Sequence, residues 1–476
     1  MNESKKLRRR LLAAQLAQAQ VGDRGIAVVL SGHTATVTQT LLHRLDHWLE
    51  NRATEVHALE DEACDHQYPP MWRFWRRVPA LGRVGVFIHG WYQDLLFSHV
   101  EHRIGDGAFN DRLGEIARFE ASLSAENVSI LKIWIDSDQE RELTRMKQLA
   151  SDPATAWQCT PERWIRVQQH TAIRETGRRI RDFATDGHIL PWQVIDDTAL
   201  ADALPNALLA MLEAPQTRSR PPSLDAITAL MPRAVSASEK PPHLGAHAEP
   251  LDREDYETRL ATAQGRLGRL LRRVRAADRS LVLVFEGADA AGKGGTLHRM
   301  TGAMDPRHMR VHSISAPSDD ERAHPWLWRF WTRLPRRGRI ALFDRSWYGR
   351  VLVERVEGLA APEVWQRAYG EIREFERQIV TDGAILAKFL LDIDADTQLQ
   401  RFIARRDTPH KRHKLTDEDW RNRERWNDYQ EAFTDLLRET HAPAAPWYVI
   451  PAQCKRRARI DAIERLCTQL EATLGN

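Results

Sequence analysis

Cysteine is scarce in this chain: there are four in 476 residues, Cys64, Cys159, Cys454 and Cys467, and none is in a C-x-x-C spacing. That argues against a disulfide-stapled secreted fold and against a thiolate metal knuckle, and fits scattered reduced thiols in a reducing cytoplasm. Long apolar runs are missing too. No stretch of 18 apolar residues occurs, so the sequence predicts no membrane span. Met1 to Gln20 is charged and rich in Ala and Gln, without the apolar centre of a secretory leader. Neither sign of charge dominates: 69 Lys and Arg stand against 66 Asp and Glu, a net of +3. Whole-molecule attraction to nucleic acid or to a membrane is therefore not expected, although basic residues cluster locally. A cytoplasmic protein with neither partner is the expectation, and assembly into a homo-oligomer is left open.

What the chain does have is a repeat. Trp72-Arg73-Phe74-Trp75 returns as Trp328-Arg329-Phe330-Trp331, 256 positions later. Pro79 and Pro335, Gly82-Arg83 and Gly338-Arg339, Trp91-Tyr92 and Trp347-Tyr348, and Trp164 and Trp420 keep the same spacing, so a whole domain is duplicated. The length suits two domains of over 200 residues each. Between them Ala214 to Pro250 carries Pro215, Pro221, Pro222, Pro232, Pro241, Pro242 and Pro250. This reads as a linker, with one short helix expected near Leu224 to Leu230. The expected organisation is residues 1–213, a Pro-rich linker over 214–250, and residues 251–476.

Short apolar runs alternate with helical periodicity in both halves. In the second they are Ser280 to Phe285, Arg339 to Phe343, Ala384 to Ile393 and Trp447 to Pro451; helices are expected over Tyr256 to Ala277, Ala361 to Asp382 and Asp417 to Thr440. The first half repeats the order with Ile26 to Leu30, Val84 to Ile88, Ser129 to Ile135 and Trp192 to Ile195. Such alternation predicts an α/β chain of two tandem domains, each a parallel sheet flanked by helices.

Only the second half carries chemistry that can be read. Gly287-Ala288-Asp289-Ala290-Ala291-Gly292-Lys293-Gly294-Gly295-Thr296 follows a predicted strand and opens a predicted helix, the context of a phosphate-binding loop. Its glycines let backbone N–H groups turn inward around phosphate oxygens, the helix N-terminus adds positive potential, and Lys293 reaches the terminal phosphates. Where common NTPases place a Ser or Thr hydroxyl on magnesium, this loop has Gly294. The metal then falls to carboxylates, Asp289 in the loop and Asp344 at the end of the next clear strand, because magnesium takes oxygen ligands, water and substrate phosphates; manganese could substitute. The plainer alternatives are a loop acceptor for Asp289 and a strand-end turn or helix cap for Asp344. Arg345 adds a guanidinium where transferring charge needs neutralising, with a surface ion pair as its bland alternative.

A basic stretch follows. Arg401, Arg405 and Arg406 lie on a predicted helix ended by Pro409, and Lys411 and Lys414 follow it. Alone such a stretch is usually a solvated face; beside a phosphate loop it reads as a cationic lid over about residues 395–430, closing on a polyanion and excluding water. The Trp-Arg-Phe-Trp motif is read as core packing rather than a base-stacking platform, since the half without a loop keeps it. Asp392-Ile393-Asp394 is read as structural capping, because Asp136-Ser137-Asp138 is kept in the first half. At the 256 spacing, Val37 takes the place of Lys293, and Ile88-His89-Gly90 that of Asp344-Arg345-Ser346, so no second active site is expected.

Together the loop, Asp344-Arg345-Ser346-Trp347-Tyr348 and Arg405-Arg406-Asp407 through Pro409-His410-Lys411-Arg412-His413-Lys414-Leu415-Thr416 resemble the second family of polyphosphate kinases, P-loop kinases that use inorganic polyphosphate. Thr408 between Asp407 and Pro409, and His413 where the family often has Trp, depart from its pattern. The resemblance covers the C-terminal half, with a degenerate copy in the first. It implies polyphosphate as phosphoryl donor and, since two-domain members are similar to polyphosphate:AMP phosphotransferases, AMP as acceptor and ADP as product. Alternatives are polyphosphate-dependent phosphorylation of ADP or GDP, an ATP-dependent nucleoside monophosphate kinase, and a non-enzymatic polyanion-binding protein. The acceptor base has no readable signature.

Overall fold

The computed structural model describes residues 3–34, 36–37, 41, 45, 47–59, 65–183, 191–214, 230–232 and 242–475. Most of the Pro-rich segment, including the helix expected near Leu224, lies outside them, as does Cys64. Two compact units result. One holds Met1–Glu62, Met71–Leu230 and Pro317–Arg329; the other holds Ala63–Pro70, Met231–Ala316 and Phe330–Asn476.

The first unit contains a parallel sheet of β1 (Gly25–Gly32), β2 (Thr54–Ala58), β3 (Val84–Ile88), β4 (Val128–Asp136) and β5 (Trp192–Asp196), in the order β2-β3-β1-β4-β5. The second contains β6 (Leu281–Gly287), β7 (Met309–Ser313), β8 (Ile340–Asp344), β9 (Ile385–Asp392) and β10 (Trp447–Pro451), with β6 central between β8 and β9. The two sheets have one topology. The central strands form because they are apolar on both faces: Leu281, Val282, Leu283, Val284 and Phe285 are each fully buried, and each such side chain contributes roughly 1.5–3 kcal/mol of burial. Leu281, Leu283 and Phe285 share a core with Leu267, Leu270 and Val274 of the helix Arg253–Ala276 and with Ile463, Leu466 and Leu470 of the helix Lys455–Leu474.

Strands β2 and β7 were not foreseen. They lie at sheet edges and read Thr-Glu-Val-His-Ala and Met-Arg-Val-His-Ser, without the continuous apolar run of a strand buried on both faces. The helix expected over Asp417 to Thr440 is two, Asp417–Glu424 and Trp426–Thr440, broken at Arg425.

Phe74 and Trp75 of the repeated aromatic motif are buried in the first unit and Phe330 and Trp331 in the second, whereas Trp328 is only half-buried. Phe74 meets Trp91 at a centroid distance of 5.8 Å and Trp75 meets Phe119 at 5.0 Å; their counterparts Phe330–Trp347 and Trp331–Phe375 lie at 5.9 and 4.9 Å. All are near edge-to-face, the favoured geometry. Asp138 caps its helix through Glu140 N, and Asp394 caps the helix Ala395–Arg406 through Thr397 N at 2.6 Å.

Strand register corrects one correspondence. Ile26 pairs with Val84 and Ser129, while Leu281 pairs with Ile340 and Ile385. Ile26 and Leu281 are therefore equivalent, at a spacing of 255. The left-handed residues Gly22 and Asp278 still match at 256, but Gly82 N donates to Arg24 O as Gly338 N donates to Arg279 O. Asp23 is thus one extra residue. Val37, a buried core residue, does not stand opposite Lys293; counted from the strand that position is Thr38, which lies outside the described residues.

Candidate functional site

The site forms where β6 ends. The chain leaves β6 for β7, beyond β8 on one side, and crosses from β8 to β9 on the other, and such a switch opens a crevice at the carboxyl ends of parallel strands. Gly287 begins the loop at φ +136°, and a Cβ there would lie 2.4 Å from the Leu391 carbonyl oxygen, so only glycine fits. Gly32 repeats this against Ile135 O at 2.4 Å, so the turn belongs to the fold rather than to phosphate binding. The chain then passes through Ala288, Asp289, left-handed Ala290 at φ +61°, Ala291 and Gly292 at φ +114°, and enters the helix Lys293–Thr301. Ala291 and Thr296 are buried beneath the loop; Gly294 is exposed and Gly295 lies beside Arg459.

Asp289, Lys293, Asp344, Arg345 and Arg405 line one open cavity of about 600 Å³. Lys293 Nζ donates to Gly287 O at 2.6 Å and to Ala288 O at 3.2 Å. Burial lowers its pKa, opposed chiefly by Asp289. Arg345 donates to Asp289 Oδ1 at 3.0 Å, and Asn422 Nδ2 donates to Asp289 Oδ2 at 2.7 Å. Burial alone would raise Asp289; Lys293 and Arg345 outweigh it, so the carboxylate is held below its ordinary range. Arg345 sits at φ +62°, and its counterpart His89 at φ +58°. The strained strand-end turn is therefore inherited, while the guanidinium is particular to this half.

Asp289 and Asp344 are the residues that could hold a metal. Among the described residues no group of three or more His, Cys, Asp or Glu side chains could cage one. Two carboxylates opening on a polar cleft fit a hard cation that completes its shell with water and substrate phosphates.

Of the lid residues, Arg405 reaches the cavity. Arg401 does not: it is 8% exposed, and its guanidinium donates to Ala290 O at 2.8 Å, Ala291 O at 2.9 Å and Gln453 O at 3.0 Å. A polyanion contact was expected; the side chain instead braces the loop from beneath, because a buried guanidinium must satisfy its donors. Arg406 pairs with Asp407 at 3.0 Å. Lys411 and Lys414 lie on the turn Pro409–Lys414, and their side chains are outside the described ones.

Several contributors carry no sequence signal. Glu286, just before Gly287, is buried and accepts from Ser346 Oγ at 2.8 Å; burial raises its pKa to about 7. Gln398 donates to Asp289 O at 3.2 Å. Beside the loop, Leu352, Val353, Trp426, Tyr429 and Phe433 line a largely apolar pocket that also touches Asp289 and Arg345. Gly349 lies in its wall. At the matching position of the first unit stands Gln93, 1% exposed, which accepts from Gly32 N at 2.9 Å and donates to Gly32 O at 3.1 Å. That half plugs the space which Gly349 leaves open.

The model of the family described as polyphosphate kinase 2 matches residues 1–217 and again 250–475. A polyphosphate:AMP phosphotransferase from Pseudomonas aeruginosa is 37% identical over 98% of this chain and 94% of its own length. One from Acinetobacter johnsonii is 34% identical, covering 97% and 95%. A solved structure described as a polyphosphate kinase 2, from Pseudomonas aeruginosa PA01, superposes with a TM-score of 0.82 at 34% identity, over 98% of this chain and 94% of that one.

Proposed function

The chain belongs to the polyphosphate kinase 2 family, and on that premise we propose that its C-terminal half transfers the terminal phosphoryl group of inorganic polyphosphate to AMP, giving ADP. The observation that carries this reading is the convergence of Lys293, Arg345, Asp289 and Asp344 on one cleft beside an apolar pocket, in the half that lacks the Gln93 plug.

The loop's N–H groups and Lys293 hold donor phosphates. The nucleoside of the acceptor occupies the pocket walled by Trp426, Tyr429 and Phe433, so its α-phosphate emerges next to Arg345. Asp289 and Asp344 would hold magnesium, or manganese in its place, which would neutralise phosphate charge. Arg345 stays fixed by Asp289, ready to meet charge that develops between donor and acceptor. The acceptor is a phosphate oxygen, already deprotonated near neutral pH, so no strong general base is required and positioning carries the rate. Arg405, Arg406, Lys411 and Lys414 extend the cationic track along the donor.

The first half, residues 1–213, serves as a structural partner with no phosphoryl transfer of its own, joined through 214–250 to the catalytic residues 251–476. The test incubates AMP, ADP, GMP and GDP with polyphosphate or ATP plus magnesium and separates the products. Transfer from polyphosphate to AMP is expected, lost in Lys293→Ala and Asp344→Ala proteins that keep their fold. Product from ATP alone would overturn the donor, and near wild-type turnover of Asp344→Ala would overturn the metal assignment.

A further inference from the structure

The catalytic unit has a second cationic cavity, at the opposite end of its sheet from the loop. It opens beside the start of β8 and the turn before β6, with a volume of about 570 Å³. Since β6 runs seven residues, the cavity lies on the order of 20 Å from the loop at about 3.3 Å per residue. Its rim carries Arg269, Arg272, Arg275, Arg279, Arg339 and His308, with Asp305 as the one carboxylate. Asp305 is already held by Arg307, at 2.7 Å from its guanidinium and 2.9 Å from its backbone N–H.

Arginines on a helix face are usually solvated and inert. Three features separate these from that reading. Arg269, Arg272 and Arg275 recur every third residue along the helix Arg253–Ala276, so they line one face, and Gly265 and Gly268 leave the hollow beside them. None of the five rim arginines forms an ion pair among the described residues. His308 is held between two guanidiniums, with Arg275 NH1 2.6 Å from Nε2 and Arg339 NH1 2.8 Å from Nδ1. A neutral imidazole offers one acceptor nitrogen, so one of those contacts sets donor against donor. Positive charge is concentrated here beyond what the protein compensates.

The duplication supplies a control. Arg279 and Arg339 have counterparts in Arg24 and Arg83, and all four donate to backbone carbonyls: Arg279 to Gly383 O, Arg339 to Arg307 O, Arg24 to Met211 O and Arg83 to Arg52 O. Those two are part of the fold. Arg269, Arg272 and Arg275 correspond to Ala13, Leu16 and Ala19, and His308 to Ala53. Arg269, Arg272, Arg275 and His308 thus have no cationic counterpart at the matching positions of the first half.

We infer that this cavity is a second anion site, one that binds the distal part of the same polyphosphate chain whose end lies in the loop. The inference rests on the reading of polyphosphate as donor. A linear polyanion engaged at two places gains from effective concentration, and tripolyphosphate is too short to reach both. The site therefore favours long chains through KM and leaves the chemical step alone.

Titration calorimetry of long-chain polyphosphate against the full chain carrying Lys293→Ala, with and without Arg269→Gln, Arg272→Gln and Arg275→Gln, tests the site directly. Steady-state kinetics of the triple variant with Lys293 intact test its consequence. Binding should survive Lys293→Ala and weaken about tenfold or more with the triple replacement. KM for long chains should rise by a similar factor, with kcat and the KM for tripolyphosphate unchanged. No binding to the Lys293→Ala protein, equal binding with and without the three arginines, or an equal rise in KM for both chain lengths would each overturn the site. Wild-type protein without polyphosphate turnover, whose chain binding still depends on the three arginines, would instead strike the phosphoryl-transfer reading and support the site.

Discussion

Lys388 Nζ lies 2.6 Å from a carboxylate oxygen of Glu376 inside the second unit, the two side chains 0% and 5% exposed. Tyr348 Oη also donates to Glu376 at 2.7 Å, and Trp347 Nε1 donates to it at 3.0 Å. The first unit repeats the arrangement: Lys132 is 3.0 Å from Glu120, and Trp91 Nε1 donates to Glu120 at 2.9 Å. A charge pair kept in the half without a phosphate loop belongs to the fold. Lys388→Met should cost about 3–5 kcal/mol, because it strands the Glu376 charge, whereas Lys388→Met with Glu376→Leu should recover most of that loss. Urea denaturation of the three proteins reads both, and a single variant as stable as wild type would refute the prediction. Lys132→Met should destabilise similarly while leaving turnover per folded molecule unchanged.

A pH-dependent loss of stability is expected from Glu142 in the first unit. It is 1% exposed, Oε1 has no hydrogen-bond partner among the described residues, and burial, followed by the neighbouring Asp197, raises its pKa from 4.5 to about 7. A folded-state pKa above the unfolded one means that stability is fully present below about pH 4.5 and is lost as pH rises through 7. Glu142→Gln removes that loss. The variant should exceed wild type by roughly 1–3 kcal/mol at pH 8, the difference shrinking towards pH 4.5. An equal gain at both pH values in chemical denaturation would sink the assignment.

Asn422 touches Asp289 and no other group of the catalytic set in the described contacts. Asn422→Ala should free that carboxylate to rotate and weaken apparent magnesium affinity by about 10–100-fold, as loss of a ligand's supporting partner does. Titration of activity with magnesium checks this, and an unchanged midpoint would show that Arg345 alone fixes Asp289.

Trp426 is assigned to the acceptor side. Trp426→Ala should raise KM for AMP by roughly tenfold, in keeping with about 1–3 kcal/mol per stacked base, and leave KM for polyphosphate unchanged. A rise in the polyphosphate KM instead would exchange the two substrates' places.

Central strands, the phosphate loop and the strand-end carboxylate were legible because each is written in contiguous residues: apolar runs buried on both faces, glycines at forced turns, a lysine opening a helix. What escaped was written across distance. Asn422 sits in a polar helix with nothing to mark it, and it matters only because the break at Arg425 and the loop bring it to Asp289. Arg401 looked like a solvent-facing cation since its neighbours are basic, yet its donors go to four backbone carbonyls. Edge strands β2 and β7 lack the apolar run that betrays the others.

Asp23 constrains how the two repeats could ever trade material. A crossover that splices them at equal spacings of 256 would seat β6 in the first sheet one residue out of step. A one-residue slip in a strand turns every side chain to the opposite face, so Leu281, Leu283 and Phe285 would leave their helices for the other layer. Gly287 would no longer stand where a carbonyl forbids a Cβ. Any attempt to revive the first half must therefore carry the turn before the strand along with the loop after it.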